Sequence, residues 1–145
     1  MKTLKIFFSS LFLITLISLS YWMVVPFLKS SDKKLDDVNA AYNLNSSEIV
    51  SNFTKNKTNS DSLYVGKIIE ITGFVKKVNF INERKTVILY TKNNKHGIIC
   101  DTNIDQLEKL KSLKKNQKIT VKGTCKGFLM DVILLNCYID LNPNE

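Results

Sequence analysis

The chain has 145 residues, of which 44% are hydrophobic, 23% charged and 10% aromatic, enough for one domain of ordinary size plus a short appendage and too few for two domains. Its 5 Gly, 2 Pro and 3 Cys exclude a collagen-like chain, a low-complexity scaffold and a disulfide-dense mini-protein, and mean hydropathy near zero excludes a polytopic membrane protein. The net charge of +8 rests almost wholly on lysine, Arg84 being the only arginine; a solvated surface accounts for it, with a polyanion or an anionic membrane as the other reading.

Lys2 and Lys5 precede a stretch from Ile6 to Leu28 whose only ionisable side chain is Tyr21. As a helix rising about 1.5 Å per residue it reaches roughly 35 Å, enough to cross a hydrocarbon core. Two readings compete. An uncleaved anchor explains why the apolar run continues through Tyr21, Trp22, Met23, Val24 and Val25, with aromatic residues suited to the membrane interface. A cleaved signal would use Ile6 to Ile17 as its apolar centre and Ser18-Leu19-Ser20 as the cleavage site. Both keep the lysine-bearing N-terminus in the cytosol and place the rest outside the cytoplasm, membrane-anchored in the first case and secreted or periplasmic in the second. No cysteine precedes Cys100, so nothing near the end of the apolar run can carry a lipid.

After this segment, residues 1–29, the charged residues 30–41 read as a linker, and 42–66 as a helical N-terminal extension. Asn45 can cap a helix with Glu48 three positions on, and Ile49, Val50 and Phe53 supply its apolar face. The polar stretch Thr54 to Ser62 predicts a loop, closing in a turn that presents Leu63 and Tyr64. Residues 67–141 then form the main domain. Ile69, Ile71, Gly73 and Val75 alternate with Glu70, Thr72, Phe74 and Lys76, predicting a long strand with one buried face and a glycine where a barrel strand bends. Asn79 to Glu83 predict a turn, Thr86 to Thr91 a second strand, Lys92 to Lys95 a tight turn and His96 to Cys100 a third strand. A helix follows, capped by Thr102 or Asn103, with Ile104, Leu107, Leu110 and Leu113 inward and Asn116 in the left-handed closing position. Ile119, Val121, Gly123 and Cys125 mark strand four; Ile133, Leu135, Cys137 and Ile139 are expected on the inner face of strand five.

The pattern is mainly β. Three strands, a helix and two strands describe a five-stranded OB-fold barrel with its helix between strands three and four, preceded here by a short helical segment and an N-terminal transmembrane helix; a small SH3-like barrel is the runner-up. At Tyr64-Val65-Gly66-Lys67, Ile71-Thr72-Gly73-Phe74-Val75, Val121-Lys122-Gly123-Thr124-Cys125, Asp131-Val132-Ile133-Leu134 and Cys137, the chain resembles the tRNA-anti-like family of bacterial OB-fold proteins. The resemblance spans roughly residues 42–140 and rests on structural glycines, core alternation and cysteines; Asn116 stands where such sequences often have Gly. It implies a small OB domain of a kind often membrane-anchored or exported, with no assigned role.

No catalytic set, cofactor motif or metal site is expected. His96 and Cys100 lack further ligands at metal spacing, and positions four apart on a strand lie about 13 Å apart, too far for a nucleophile and its base. The surface that can bind is the OB face with its flanking loops, drawing on Phe80, Ile81, Arg84, Tyr90, Lys92, Lys95, His96, Phe128, Leu129 and Met130. Aromatic and cationic side chains together stack rings and neutralise phosphate, although Tyr90 and Phe128 can equally pack the barrel ends. The expected function is a non-enzymatic, membrane-tethered binding module for an envelope protein or glycan, with single-stranded nucleic acid as the alternative partner. An oxidising compartment also predicts a disulfide: Cys125 to Cys137 across the last hairpin, closing a loop of about 12 residues for roughly 3 kcal/mol, or Cys100 to Cys137 as the next choice.

Overall fold

The computed structural model describes residues 15, 18, 19, 35, 38–81, 84–91 and 95–141. The chain divides into two units, residues 1–33 and 34–145. In the first, Thr15, Ser18 and Leu19 are helical; the rest of the expected span 6–28, and most of the expected linker, lie outside the described residues. Among the described residues no helix is long and apolar enough to cross a membrane.

The second unit begins with β1 (Tyr42–Asn45), α1 (Ser46–Lys55) and α2 (Lys57–Tyr64). Asn45 ends the strand and starts the helix: its side chain accepts the Glu48 N–H at 2.9 Å while the Glu48 carboxylate accepts the Asn45 N–H, which is the reciprocal cap read from the sequence. Asn45→Ala is expected to lower stability by about 1 kcal/mol, measurable as a shifted urea midpoint with unchanged slope. The polar segment after α1 is not the expected loop. Asn56 caps it by accepting the Asn59 N–H at 3.0 Å, Lys57 pairs with Asp61 at 2.7 Å one turn on, and Tyr64 packs on Tyr42 and Phe53 at ring-centre separations of 5.1 and 5.8 Å. A cap and one buried aromatic hold a helix whose sequence has almost no apolar face.

The barrel strands are β2 (Ile68–Ile81), β3 (Arg84–Leu89), β4 (Ile98–Thr102), β5 (Lys118–Phe128) and β6 (Val132–Asp140). Ile68–Phe74 of β2 pair antiparallel with β5, whereas Val75–Ile81 pair with β3; β3 then pairs with β4, β4 with β6 in parallel, and β6 with β5, which closes five strands. The exchange of partners falls between Phe74 and Val75, just past Gly73 and beside a bulge between Val75 and Lys77. A Cβ at Gly73 would sit 3.0 Å from the Cβ of Ser46, so the glycine both begins the bend and lets the first turn of α1 lie against the sheet. β1 adds a parallel edge to β2, from Tyr42 opposite Ile69 to Asn45 opposite Thr72, and was not anticipated because four residues show too little alternation to register. The β2–β3 turn is shorter than expected: Asn79, Phe80 and Ile81 continue the strand.

Between β4 and β5 lie a single 3-10 turn (Ile104–Gln106) and α3 (Leu107–Ser112). Thr102 does not cap this helix but remains in β4, its hydroxyl donating to the Lys85 carbonyl at 2.8 Å. Leu110 is buried and Leu113 packs against the core as expected, the Ile104 side chain lying outside the described residues, and Lys109 Nζ ties α3 to β6 through the Tyr138 hydroxyl at 2.9 Å and the Ile139 carbonyl at 3.0 Å. Asn116 adopts the expected left-handed conformation at φ 65° but does not close the helix: α3 ends at Ser112 with Leu113 as an extended cap, and Asn116 lies in the turn that leads into β5.

Strand β6 departs from the expected phase. Val132 and Leu134 face the core, Asn136 takes φ 54° at a bulge, and Cys137 and Ile139 then face inward; Ile133 and Leu135 are therefore on the outer surface. The same bulge corrects the disulfide. Cys125 lies opposite Leu134, Cys137 is opposite Thr102 of β4, and Cys100, Cys125 and Cys137 are all buried free thiols. Burial pushes the Cys137 thiol well above its ordinary value, with Cys100 beside it adding to the rise, and burial likewise raises Cys125 against a backbone hydrogen bond at Gly127. Neither is an activated nucleophile.

Candidate functional site

Strand register fixes what the outer face of β3, β4 and β6 presents. Lys77, Ile88, Ile99 and Ile133 lie side by side across four strands, and Asn79, Thr86 and Asp101 form the neighbouring row. Each of the three isoleucines is only half-buried, so the row is an aliphatic floor open to solvent. The hairpin tips at the two ends of this floor are apolar as well. Phe80 and Ile81, 50% and 64% exposed, stand at the β2–β3 tip; Leu129 and Met130, 82% and 77% exposed, form the β5–β6 tip. Soluble surfaces seldom gather this many accessible apolar groups without a partner.

The second tip is held rather than loose. His96 Nδ1 donates to the Met130 carbonyl and the Gly97 N–H donates to Asp131, both at 2.5 Å, which fixes the β5–β6 turn on the entrance to β4. Phe128 backs it, stacked on Phe53 at 5.8 Å with the His96 ring edge-on at 5.3 Å. These contacts present Leu129 and Met130 to solvent in a defined geometry.

The residues singled out in the sequence do not form one cluster. Phe80 and Arg84 stand at the β2–β3 tip, whereas Tyr90 follows the far end of β3, roughly 20 Å away at about 3.3 Å per residue. Tyr90, Lys95 and His96 turn toward α1, Lys76 Nζ lying 5.9 Å from the Tyr90 ring centre. His96 and Phe128 serve the tip as clamp and backing, and Lys92 lies outside the described residues. Ile88, Ile99, Asp101 and Ile133 were missed: parity along the second and third strands could have found Ile88 and Ile99, Asp101 lies beyond the strand read as ending at Cys100, and Ile133 was expected on the inner face. Among the described residues, no three His, Cys, Asp or Glu side chains gather where they could hold a metal ion.

The sequence model of the tRNA_anti-like family matches residues 1–139. The chain belongs to the tRNA_anti-like family. No curated protein matches it. Among solved structures it is similar to a lipoprotein of Klebsiella pneumoniae subsp. pneumoniae named as a nucleic acid binder, with 16% identity over 77% of this chain and 99% of that one and a TM-score of 0.56. Weaker likenesses are to the S. pombe Stn1–Ten1 complex (12% identity, 50% and 56% of the two chains, TM-score 0.43) and to a Leishmania major protein named as an aspartyl-tRNA synthetase (9%, 74% and 22%, TM-score 0.47). At these identities the likeness is one of fold. This tRNA_anti-like chain is an OB barrel of the binding type, and its open face is aliphatic.

Proposed function

We propose that the protein is a non-catalytic OB module, tethered by residues 6–28 with its barrel outside the cytoplasm, that grips an apolar segment of an envelope protein on the β3–β4–β6 face. The observation that carries this reading is the row Ile88, Ile99 and Ile133 between two exposed apolar tips. Binding energy at such surfaces concentrates in a few desolvated apolar anchors, and the floor with its tips supplies them. The anchoring rests on Lys2 and Lys5 preceding the uncharged run.

Single-stranded nucleic acid is the second reading, favoured by the net charge of +8 and by the Klebsiella neighbour's name. Against it, the two floor rows, Lys77, Ile88, Ile99 and Ile133 beside Asn79, Thr86 and Asp101, include no aromatic ring and set one carboxylate against one lysine, whereas single strands need stacking platforms and positive potential. The test compares the full-length chain with Ile99→Asp, both solubilised from membranes. An envelope protein retained at high salt by the first and lost from the second is the expected outcome. Equal retention by both would sink the reading. Oligonucleotide binding that weakens steeply with salt and is abolished by Ile99→Asp would transfer the face to nucleic acid.

A further inference from the structure

Beside α1, away from the aliphatic face, two hollows of about 710 and 380 Å³ share Ser47, Ser51 and Thr91 and so form one groove between the helix and the far end of β3. Its construction follows from elements already described. Asn45 starts α1 directly after β1, and the helix buries Ile49, Val50 and Phe53 on one side. Ser47, Ser51 and Thr54, spaced i, i+4 and i+7, fall on the groove side and make one wall rich in hydroxyls. On the sheet side the Tyr90 N–H donates to the Phe74 carbonyl at 2.8 Å, which sets the two aromatic residues next to each other, and Phe74 is 50% exposed. Lys118 stands opposite Phe74 in the β2–β5 register, Lys76 lies over Tyr90, and Lys95 closes the smaller hollow. Among the described residues the one acidic side chain in the lining is Glu48, whose carboxylate is turned back on Asn45.

We infer that this groove is a second binding site, for an acidic oligosaccharide. Each part answers to that chemistry. The apolar face of a pyranose lies on an exposed ring, as Phe74 offers; dense sugar hydroxyls need acceptors, which the Thr54 and Thr91 hydroxyls offer while donating their own protons to backbone carbonyls, and a group that can also donate, as the Ser51 hydroxyl can; lysines take up carboxylate charge. A nucleic acid strand would need several open rings in succession, and Lys76 already occupies one face of Tyr90. The volume is that of an ordinary small-ligand cleft.

The test is calorimetric titration of the full-length chain in lipid nanodiscs with a hyaluronan hexasaccharide, beside neutral maltohexaose and a ten-residue thymidine oligonucleotide. The hexasaccharide is expected to bind at least tenfold more tightly than maltohexaose. Phe74→Ala and Lys118→Glu, both at exposed positions and checked for unchanged melting, should each weaken it tenfold or more, while Ile99→Asp leaves it unaltered. No hexasaccharide binding at millimolar concentration, or binding indifferent to both groove variants, would overturn the assignment. So would tighter oligonucleotide binding that the same two variants abolish. Because Ile99→Asp reads only the aliphatic face, failure of the groove and failure of the protein-binding reading give different results.

Discussion

Phe53→Ala is expected to destabilise the protein by about 3–5 kcal/mol, a large share of what a domain of this size possesses. The side chain is 1% exposed and joins three parts of the structure: α1, which carries it, Tyr64 of α2 at 5.8 Å, and Phe128 at the end of β5, also at 5.8 Å and nearly parallel. Removing the ring leaves a cavity that no single neighbour can fill, since each is held by its own element. Urea unfolding followed by circular dichroism measures the loss, and Phe53→Leu should recover more than half of it. A cost below 1 kcal/mol would mean that the N-terminal helices are not part of the cooperative unit. Because Phe128 also backs His96, the variant should loosen the β5–β6 tip as well, seen as faster amide exchange at Leu129 and Met130 than the global change explains.

Gly123→Ala comes next in size, at about 3 kcal/mol. A Cβ there would stand 2.6 Å from Cys137 Sγ, 3.2 Å from the Leu135 carbonyl oxygen and 3.3 Å from the Leu134 Cβ. The last two are held by paired strands, so the sulfur must yield, inside a core packed too closely to admit it elsewhere. The pair Gly123→Ala with Cys137→Ala should therefore cost clearly less than the two single changes added together, as a double-mutant cycle on thermal or urea unfolding would read. Strict additivity would show that the clash lies with the backbone instead.

Much of the barrel was legible because its strands obey local rules. Alternation marked β2 and β5, the Asn45–Glu48 reciprocity marked the start of α1, and Asn116 was legible as a left-handed residue, although the crossover helix ends before it, at Ser112. What escaped depends on partners distant in sequence. Tyr42–Asn45 are a strand only because Ile69–Thr72 lie alongside. Asn136 turns the parity of β6 over, and nothing in Ile133-Leu134-Leu135-Asn136-Cys137 announces it, since leucine and isoleucine occupy both faces. The candidate site shows the same division: residues chosen for ring and charge were found in the sequence, yet Arg84 and Tyr90 are separated by the length of β3, and of the aliphatic floor Ile133 was expected on the inner face while Ile88 and Ile99 carry neither the ring nor the charge that was sought.

The way the ring of strands is closed also governs the order in which it can form. Ile68–Phe74 find their antiparallel partner in Lys118–Thr124, some fifty residues later in the chain, while β2–β3 and β3–β4 are joined by short hairpins. Pairings this remote in sequence carry a large loop-closure penalty and form late. The first barrel strand to be synthesised thus waits across the longest stretch of chain for its partner: its leading half stays, with Ile69 and Ile71 unburied, until β5 has been made. A nascent chain shorter than about 118 residues presents an open, hydrophobic strand edge, and it is during that interval, rather than after folding, that this protein is most exposed to misassociation.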